Sequence, residues 1–335
     1  MKVDRQDFLL RLQAVRSGLD DRGTAYLSDC YLFSEGDVIT YDTEVYCSIG
    51  SGLEEDFEGG IPGKKFREFL EKISGEEIEI RSRDGEIQVR SGRERAGFRM
   101  EQDISSVLGI VEEPGGWRAL PSDFDQAIDV VAGCTGTSDD QFALTCVHFQ
   151  GHYVEACDNA QLARHDLNLQ IQQPFLIRGK SLREISRLGM SDVSETSSWA
   201  HFRNANGLQF SCRRHLEEYP SLSQHYNVEG AEVTLPRDVG TFVRHSRLFL
   251  EEDDESRVLV SLSTGTISIR GDGKVGWYEA TENCSWDGPD LQFLISPDLL
   301  EAFSTRFSTA VVSKDRMMVD AGELRYVVCL INPDL

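Results

Sequence analysis

A repeat of about 116 residues constrains this chain more than any other feature of its sequence. The segment Ile61–Ile73 resembles Ile177–Leu188, which begins 116 residues later, and Ile295–Phe303, which begins after a further 118. Each segment places apolar side chains at helical spacing and therefore predicts an amphipathic helix. A second helical segment recurs at a similar period, starting at Asp7, Asp123 and Asp238. Two segments that share one period indicate three homologous domains.

Alternating apolar and polar residues predict strands in every repeat. Tyr31–Tyr41 has the pattern of a β-hairpin, and Asp84-Gly85 joins two alternating runs in Glu77–Arg90. The later repeats contain strand-like runs at 199–202, 208–212, 309–313 and 324–331. Each repeat is thus α+β, with two helices and antiparallel sheets. Polar segments with Gly or Pro at 112–116 and 227–230 predict domain boundaries that give domains 1–113, 117–228 and 231–335.

Composition limits the setting and the partners of the chain. The 335 residues suit two or three domains, each large enough for its own core. The charged start lacks the apolar stretch of a signal peptide, and no run is long enough to span a membrane. Eight cysteines are scattered without a Cys-x-x-Cys pair, so we expect no zinc site, no disulfide framework and a reducing cytoplasmic location. The net charge of −23 opposes nucleic-acid binding unless the cations are segregated on one surface.

Motifs typical of enzymes are present but weak. Gly271–Gly276 fits Gly-x-Gly-x-x-Gly, yet it lies between two strand-like runs and predicts a hairpin rather than a dinucleotide site. Gly179-Lys180-Ser181 resembles part of a phosphate loop but is better interpreted as a helix start. His148 and His152 flank a predicted turn without a third ligand, and Glu251–Glu255 predicts a solvated loop. We therefore expect no catalytic site, metal or cofactor; an acidic carbohydrate or nucleotide enzyme with repeated domains is the alternative from another class.

The three-domain organisation and several local segments resemble the beta subunit of the bacterial replicative DNA polymerase, a DNA sliding clamp. The segments that carry the resemblance are Ile61–Phe66, Glu86–Arg95, Val154–Ala163, Glu218–Leu222 and Tyr326–Ile331. Their order and spacing agree with that family along the whole chain, although identity is low. The resemblance implies a processivity factor, not an enzyme, that closes as a homodimeric ring around duplex DNA. It also implies docking of a polymerase and a clamp loader through short linear peptides.

The distribution of charge agrees with that expectation. The six predicted helical segments (4–19, 61–73, 120–134, 176–188, 235–250 and 294–307) contain 15 Lys and Arg against 11 Asp and Glu. In the resembled fold these helices line the hole, and a locally basic lumen can attract DNA inside an acidic shell. The alternative is that helices simply carry solvated cations on their polar faces. Twelve helices at about 8–10 Å spacing give an opening of about 35 Å, wide enough for duplex DNA.

The resemblance also assigns residues by position. Expected DNA contacts are Arg22, Lys64, Lys65, Arg67, Lys72, Arg178, Lys180, Arg183, Arg187, Arg237 and Arg244. The expected peptide cleft includes Leu144, Cys157, Asp158, Asn159, Leu162, Pro220, Val327, Val328 and Ile331. The expected dimer interface joins Ile104 of one chain to Leu248 and Phe249 of the other. For the cleft and the interface, the alternative is that these are ordinary core residues.

Departures from the family pattern predict a divergent member. The first helix of the second repeat carries Asp123, Asp125 and Asp129 but no cation, and Gln141 stands where the family often has arginine. The DNA track is therefore expected to be uneven. A family Gly-His-Arg becomes Asn159-Ala160-Gln161, which predicts a shifted peptide preference. The alternative within the same fold is a clamp-like paralogue that binds partners without loading on DNA.

Overall fold

A computed structural model of the chain describes residues 1–53, 58–83, 85–251 and 256–333. The chain divides into two compact units. Unit 1 comprises residues 1–133, 146–152 and 168–217, and unit 2 comprises 134–145, 153–167 and 218–335. The predicted domain 117–228 contributes residues to both units. The division into three domains stays a prediction.

Helices and strands are numbered in chain order. The helices of unit 1 are α1 Arg5–Ala14, α2 Gly63–Lys72, α3 Ser105–Leu108, α4 Phe124–Ala132 and α5 Gly179–Ile185. Those of unit 2 are α6 Val239–Arg247 and α7 Pro297–Arg306. The first strands of unit 1 are β1 Lys2–Asp4, β2 Cys30–Ser34, β3 Asp37–Tyr41, β4 Val45–Gly50 and β5 Gly59–Pro62. They are followed by β6 Glu77–Arg83, β7 Glu86–Ser91, β8 Glu94–Arg99 and β9 Arg118–Ala119.

Two long strands, β10 Cys146–Cys157 and β11 Gln161–Arg178, contribute residues to both units. Unit 1 then adds β12 Asp192–Glu195, β13 Trp199–Arg203 and β14 Gln209–Arg213. Unit 2 contains β15 Ala231–Thr234, β16 Val258–Ser263, β17 Thr266–Gly273, β18 Gly276–Asn283 and β19 Ser285–Trp286. It ends with β20 Leu291–Ile295, β21 Thr309–Val312, β22 Arg316–Asp320 and β23 Leu324–Cys329.

The strand pairings given for the described residues are antiparallel, as the α+β assignment requires. In unit 1 the strand orders are β5-β2-β3-β4-β14-β13-β12-β9 and β1-β6-β7-β8. In unit 2 one sheet has the order β18-β17-β16-β20. The remaining sheet runs β10-β11-β23-β22-β21-β15-β19. The fold class is confirmed: α+β, with helices set against antiparallel sheets.

The six predicted helices are confirmed, and they pair as the repeat implies: α1 with α2, α4 with α5, and α6 with α7. The second helix of each pair directly follows a strand. The residue before it has the same extended conformation in all three repeats, with φ −56° and ψ 112° at Pro62, −51° and 126° at Arg178, and −58° and 131° at Ser296. The sequence repeat is thus also a repeat of backbone geometry.

Aromatic side chains join the helices of unit 1 to a sheet. The ring of Phe66 on α2 meets Phe8 on α1 edge-on at 6.1 Å and Phe98 on β8 at 5.1 Å. These rings are held on one face of the sheet formed by β1, β6, β7 and β8, together with the buried side chains of Ile80 and Val89. Burial of large aromatic side chains is the main source of stability in such a layer. The other face of this sheet is exposed.

The predicted hairpins are confirmed, with one correction nearby. Strands β2 and β3 are joined by Glu35 and Gly36, both with positive φ, and β6 pairs with β7 so that Arg83 faces Glu86. Asp84, which was predicted to begin that second turn, lies outside the described residues. The turn predicted between His148 and His152 is wrong, because both residues lie in the continuous strand β10. Gly151 adopts φ 58° there, so the strand continues through a residue in the left-handed conformation.

Candidate functional site

The clearest basic surface of the predicted DNA track lies on α2. Phe66 and Leu70 are buried, whereas Lys64, Lys65 and Lys72 are exposed. This is the amphipathic division that the sequence predicted. Arg67 differs from the lysines, because its side chain is only 17% exposed and its Nε lies 3.7 Å from Glu71 Oε1. The Arg67 side chain therefore lies near Tyr31 and contributes less than the lysines to the exposed cationic surface.

Lys180 on α5 and Arg187, two residues after its end, are exposed, whereas Arg183 on α5 and Arg178 just before it are more enclosed. The Nη1 of Arg183 donates a hydrogen bond of 2.6 Å to the carbonyl oxygen of Ala132, at the last turn of α4. This contact satisfies a carbonyl that the helix end leaves without an intrahelical partner. Arg183 thus joins two helices, and its contact with DNA stays a prediction. Arg178 is half-buried.

In unit 2 the predicted cations are Arg237, which is exposed just before α6, and Arg244 on α6 itself. Arg244 Nη1 lies 3.0 Å from Glu301 Oε1, and the neighbouring Arg247 also contacts Glu301 at 2.8 Å. These ion pairs join α6 to α7 and neutralise part of the positive charge. The contribution of Arg244 to a phosphate track is correspondingly smaller than its exposure suggests.

Arg22 lies in an exposed loop that is organised by Asp20. The Asp20 carboxylate accepts hydrogen bonds from the backbone N–H of Arg22 and of Thr24, each at 3.0 Å, and another from the Thr24 hydroxyl. These bonds, with the Thr24 hydroxyl first, lower the pKa of Asp20 to about 2. The carboxylate therefore stays charged at every ordinary pH, and the loop presents Arg22 in a fixed turn.

The predicted cleft is built by pairing β11 with β23, which brings Leu162 opposite Val327. Both side chains are buried, in one cluster with Cys157 and Met318. Val328 faces Gln161 in the same register and is also buried, but alternation along a strand turns its side chain to the opposite face of the sheet. The structure therefore places Leu162 and Val327 together, with Val328 on the opposite face of the sheet; the cleft itself stays a prediction.

A segment of the chain itself covers this apolar floor. Leu222 and Tyr226 are buried in the same cluster, and Tyr219 packs against it. The Tyr219 hydroxyl oxygen accepts a hydrogen bond of 3.0 Å from the Cys157 backbone N–H, and burial raises the pKa of Tyr219. None of these three residues was predicted to lie at the cleft, although apolar residues at positions 219, 222 and 226 gave a usable signal.

Beside this covered floor lies an open depression of about 330 Å³. It is lined by Thr135, Ser138, Gln141, Leu144, Asp158 and Asn159, among others. Asp158 fixes one wall, because its carboxylate accepts hydrogen bonds from the backbone N–H of Ala160 at 2.7 Å and of Gln161 at 2.8 Å. Leu144, Asp158 and Asn159 are thus the predicted cleft residues that border open space. Pro220 is exposed, and Ile331, which is 45% exposed, pairs with Leu294.

The predicted dimer residues differ in exposure. Leu248 follows α6 and is 75% exposed, whereas Phe249 is half-buried and stacks on Tyr278 at 6.2 Å. Ile104 is 2% exposed and packs in a core cluster with Leu32 and Trp199. The Ile104 side chain is thus enclosed within its own chain, and its contact with a partner stays a prediction. Val275, at 80% exposure, and Trp277, at 58%, lie on the hairpin next to Phe249 and were not predicted.

The glycine-rich motif at 271–276 is a structural feature, as expected. It joins β17 to β18, which pair through Gly273 and Gly276. A Cβ at Gly273 would lie 1.9 Å from the Phe249 carbonyl oxygen, and one at Gly271 would lie 2.7 Å from that of Ser246. Glycine is needed at both positions because the end of α6 approaches the hairpin backbone directly. In the Glu251–Glu255 run, Glu251 contacts Lys274 at 3.2 Å; residues 252–255 lie outside the described residues.

The architecture is that of the DNA sliding clamps, the beta subunits of bacterial DNA polymerase III. The beta subunit from Pseudomonas aeruginosa is 18% identical to this chain, and the match covers 99% of both chains with a TM-score of 0.85. A sliding clamp from Bartonella birtlesii bound to griselimycin matches at 15% identity, the same coverage and a TM-score of 0.88. The beta subunit from Streptococcus pyogenes matches at 15% and 0.83, again over 99% of both chains.

No protein-family model matches the sequence, and no curated protein matches it either. The likeness is therefore carried by the fold, which persists at an identity too low for sequence comparison alone. Among the described residues, no helix has both the length and the apolar character that a membrane crossing requires.

Proposed function

We propose that this chain is a DNA sliding clamp, a processivity factor that encloses duplex DNA and tethers a replicative polymerase. The observation that carries the proposal is the agreement of fold over 99% of the chain with solved sliding clamps, at TM-scores of 0.82 to 0.88. The three-fold repeat of helix pairs supports it independently of those comparisons. We assign the chain no catalytic role.

In the proposed ring, two chains contribute twelve helices around an opening of about 35 Å. The exposed cations on or beside those helices are the proposed phosphate contacts: Arg22, Lys64, Lys65, Lys72, Lys180, Arg187 and Arg237. Such contacts carry no sequence information, so they permit sliding while topology holds the DNA. Helix α4, which carries Asp125 and Asp129 and no cation, makes the track uneven.

The proposed ring is a head-to-tail dimer in which domain one of each chain meets domain three of the other. Its support is an exposed apolar group at one end of unit 2, formed by Leu248, Val275 and Trp277. The adjacent strand β18 is an edge of its sheet, with one side of its backbone unpaired in the described residues. Apolar side chains beside an open strand edge are a typical surface for protein association.

The proposed docking site for the short peptide of a polymerase or clamp loader lies in unit 2, at the depression bordered by Leu144, Asp158 and Asn159. A peptide can bury an apolar side chain against Leu144 while Asn159 and backbone groups orient its main chain. Deeper insertion, onto Leu162 and Val327, requires Tyr219 to move, since it covers that floor. The peptide preference is therefore expected to differ from that of clamps with an open floor.

Threading onto DNA tests the proposal without any loader. One end of a linear duplex is fixed to a bead, and the protein is added either before or after the free end is blocked by a bulky cap. A ring threads onto the free end and is then trapped, so protein added before capping should resist a high-salt wash. Protein added after capping should wash away, and cutting the duplex near the cap should release the trapped fraction.

Salt-resistant retention that depends on the order of addition would support a ring around DNA. If the protein washes off the DNA in both orders of addition but still binds a polymerase peptide, the clamp-like paralogue is favoured instead. Equal retention in both orders would show ordinary surface binding and contradict the proposal.

A further inference from the structure

The sheet of β1, β6, β7 and β8 carries a second basic surface, distinct from the predicted DNA track. Its outward face bears Arg81, Arg83, Arg90, Arg95 and Arg99, and Arg93 lies in the adjoining turn; we name these six residues the arginine face. All six are exposed. Phe98 lies on the opposite face of the sheet, where it packs against α2. The arginine face and the lysines of α2 therefore belong to different surfaces of unit 1.

The pairing of these strands leaves an excess of positive charge on this face. Glu79 is ion-paired with Arg81 and stands opposite Arg90, and Glu86 stands opposite Arg83 and Arg99, but the arginines outnumber the glutamates at the described outward positions of β6, β7 and β8. Arg90 on β7 stands directly opposite Arg95 on β8. Like charges in directly opposed positions destabilise a sheet. Arg95 Nη2 donates a hydrogen bond of 2.8 Å to the neutral side chain of Gln88, and the residue directly opposite Arg95 is Arg90. Closely spaced arginines lower the stability of the sheet. Their presence in a chain of net negative charge indicates a surface that binds an anionic partner.

The chemistry of the arginine face favours oxyanions that can accept two parallel hydrogen bonds. A shallow depression of about 730 Å³ is lined by five arginines, two glutamates and the neutral residues between them; the charged residues are Arg81, Arg83, Arg90, Arg93, Arg95, Glu79 and Glu94. Lysine does not contribute to this lining. Guanidinium groups bind carboxylate or phosphate through two parallel hydrogen bonds, which an ammonium group cannot do.

Two observations favour a protein over a nucleic acid as the occupant. The outward positions of β6, β7 and β8 that the structure describes carry no aromatic side chain, so bases would have no stacking platform. Glu79 and Glu86 alternate with the arginines, and the Glu86 carboxylate lies over Gly97. A uniformly charged phosphodiester would meet these carboxylates, whereas a peptide can place neutral or basic groups against them.

We propose that the arginine face is a docking surface for an extended, carboxylate-rich peptide segment of a partner protein. Alternate residues of such a segment are about 6.6–6.8 Å apart, which is also the spacing of successive outward arginines along one strand. Arg81 and Arg83 on β6 can therefore meet two alternate carboxylates. The proposal does not depend on the chain being a clamp, because it concerns a surface away from the predicted DNA track.

The test measures binding of the full-length protein to a short fluorescein-labelled peptide with glutamate at alternate positions. The variant Arg81→Ala/Arg83→Ala/Arg90→Ala should bind it about threefold to a hundredfold more weakly, since three exposed ion pairs are lost. The matched control, Lys314→Ala/Arg316→Ala/Arg325→Ala, removes the same charge from unit 2 and should bind as wild type does. Circular dichroism checks that both variants fold, and light scattering follows their mass.

A single-stranded oligonucleotide of equal charge serves as competitor. The proposal predicts that the oligonucleotide competes more weakly than unlabelled peptide. Equal peptide affinity of the arginine variant and wild type would overturn it, as would equal losses in the arginine variant and the control. Tighter binding of the oligonucleotide would assign the surface to nucleic acid. A fall in mass of the arginine variant alone would assign it to a second copy of the chain.

Discussion

Replacing Leu248 by Asp should weaken the association of two chains without destabilising the fold of the single chain. Leu248 is 75% exposed in the single chain, so the substitution removes little buried apolar area. We expect the free energy of unfolding of the single chain to stay within about 0.5 kcal/mol of wild type, as for ordinary surface substitutions. Phe249 is a poorer choice, because its ring stacks on Tyr278 and its loss would also weaken the fold.

In a head-to-tail dimer the same substitution acts twice, once at each interface. Burying a leucine side chain contributes about 2 kcal/mol, so a ring that loses two such contacts is destabilised by about 4 kcal/mol. Since about 1.4 kcal/mol corresponds to a tenfold change in an equilibrium constant, the dimer should dissociate about a thousandfold more readily. The carboxylate placed in an apolar interface would increase the effect further.

Light scattering over a series of protein concentrations measures this directly. Wild type should have twice the chain mass of 37.6 kDa, and Leu248→Asp should have the single-chain mass at micromolar concentration. Leu216→Asp is the matched control, because Leu216 is similarly exposed, at 69%, but lies in the predicted second domain (117–228), which is not part of the proposed interface between domains one and three. Retention of the dimer by Leu248→Asp, or its loss in Leu216→Asp, would refute the assignment of the interface.

Three further predictions concern DNA, peptide and pH. Replacing Lys64, Lys65 and Lys72 by Ala should reduce the slope of log affinity against log salt on duplex DNA by about 2.7, as three lost phosphate contacts require; an unchanged slope would mean that the lysines do not contact DNA. Leu144→Asp borders open space and should fold normally but lose affinity for the C-terminal peptide of the cognate polymerase, measured by calorimetric titration; unchanged affinity would exclude the depression as the docking site. Burial lowers the pKa of His201 to about 4, so the unfolded state binds a proton between pH 6.5 and 4 that the folded state does not. Wild type should therefore lose up to about 3 kcal/mol of stability over that range relative to His201→Asn, and parallel pH profiles in urea denaturation would contradict this assignment.

The repeat allowed much of the fold to be predicted from the sequence. Helical spacing in Ile61–Ile73 and its two counterparts predicted α2, α5 and α7, because the apolar stripe of a helix must face a core. Local turn signals placed the hairpins correctly where glycine provided the left-handed residue, as at Gly36. The prediction of a turn between His148 and His152 was wrong, because Gly151 is left-handed within a strand that continues past it.

The site was less predictable, because it depends on which face a side chain occupies and what covers it. Position in an aligned segment could not distinguish Ile104, which is enclosed, from Leu248, which is exposed. Nor could it show that Val328 turns away from Leu162, or that Tyr219 covers the floor of the cleft. These properties arise from pairing between residues that are far apart in the sequence, and they become visible only when the sheet is assembled.

Single-particle electron microscopy of the purified protein can show whether two copies of this chain form a ring. We expect two-fold symmetric particles of about 75 kDa, twice the chain mass of 37.6 kDa. Each particle should enclose a central opening of about 35 Å, the width that twelve packed helices give. Particles of single-chain mass, or dimers without a central opening, would contradict the proposed ring.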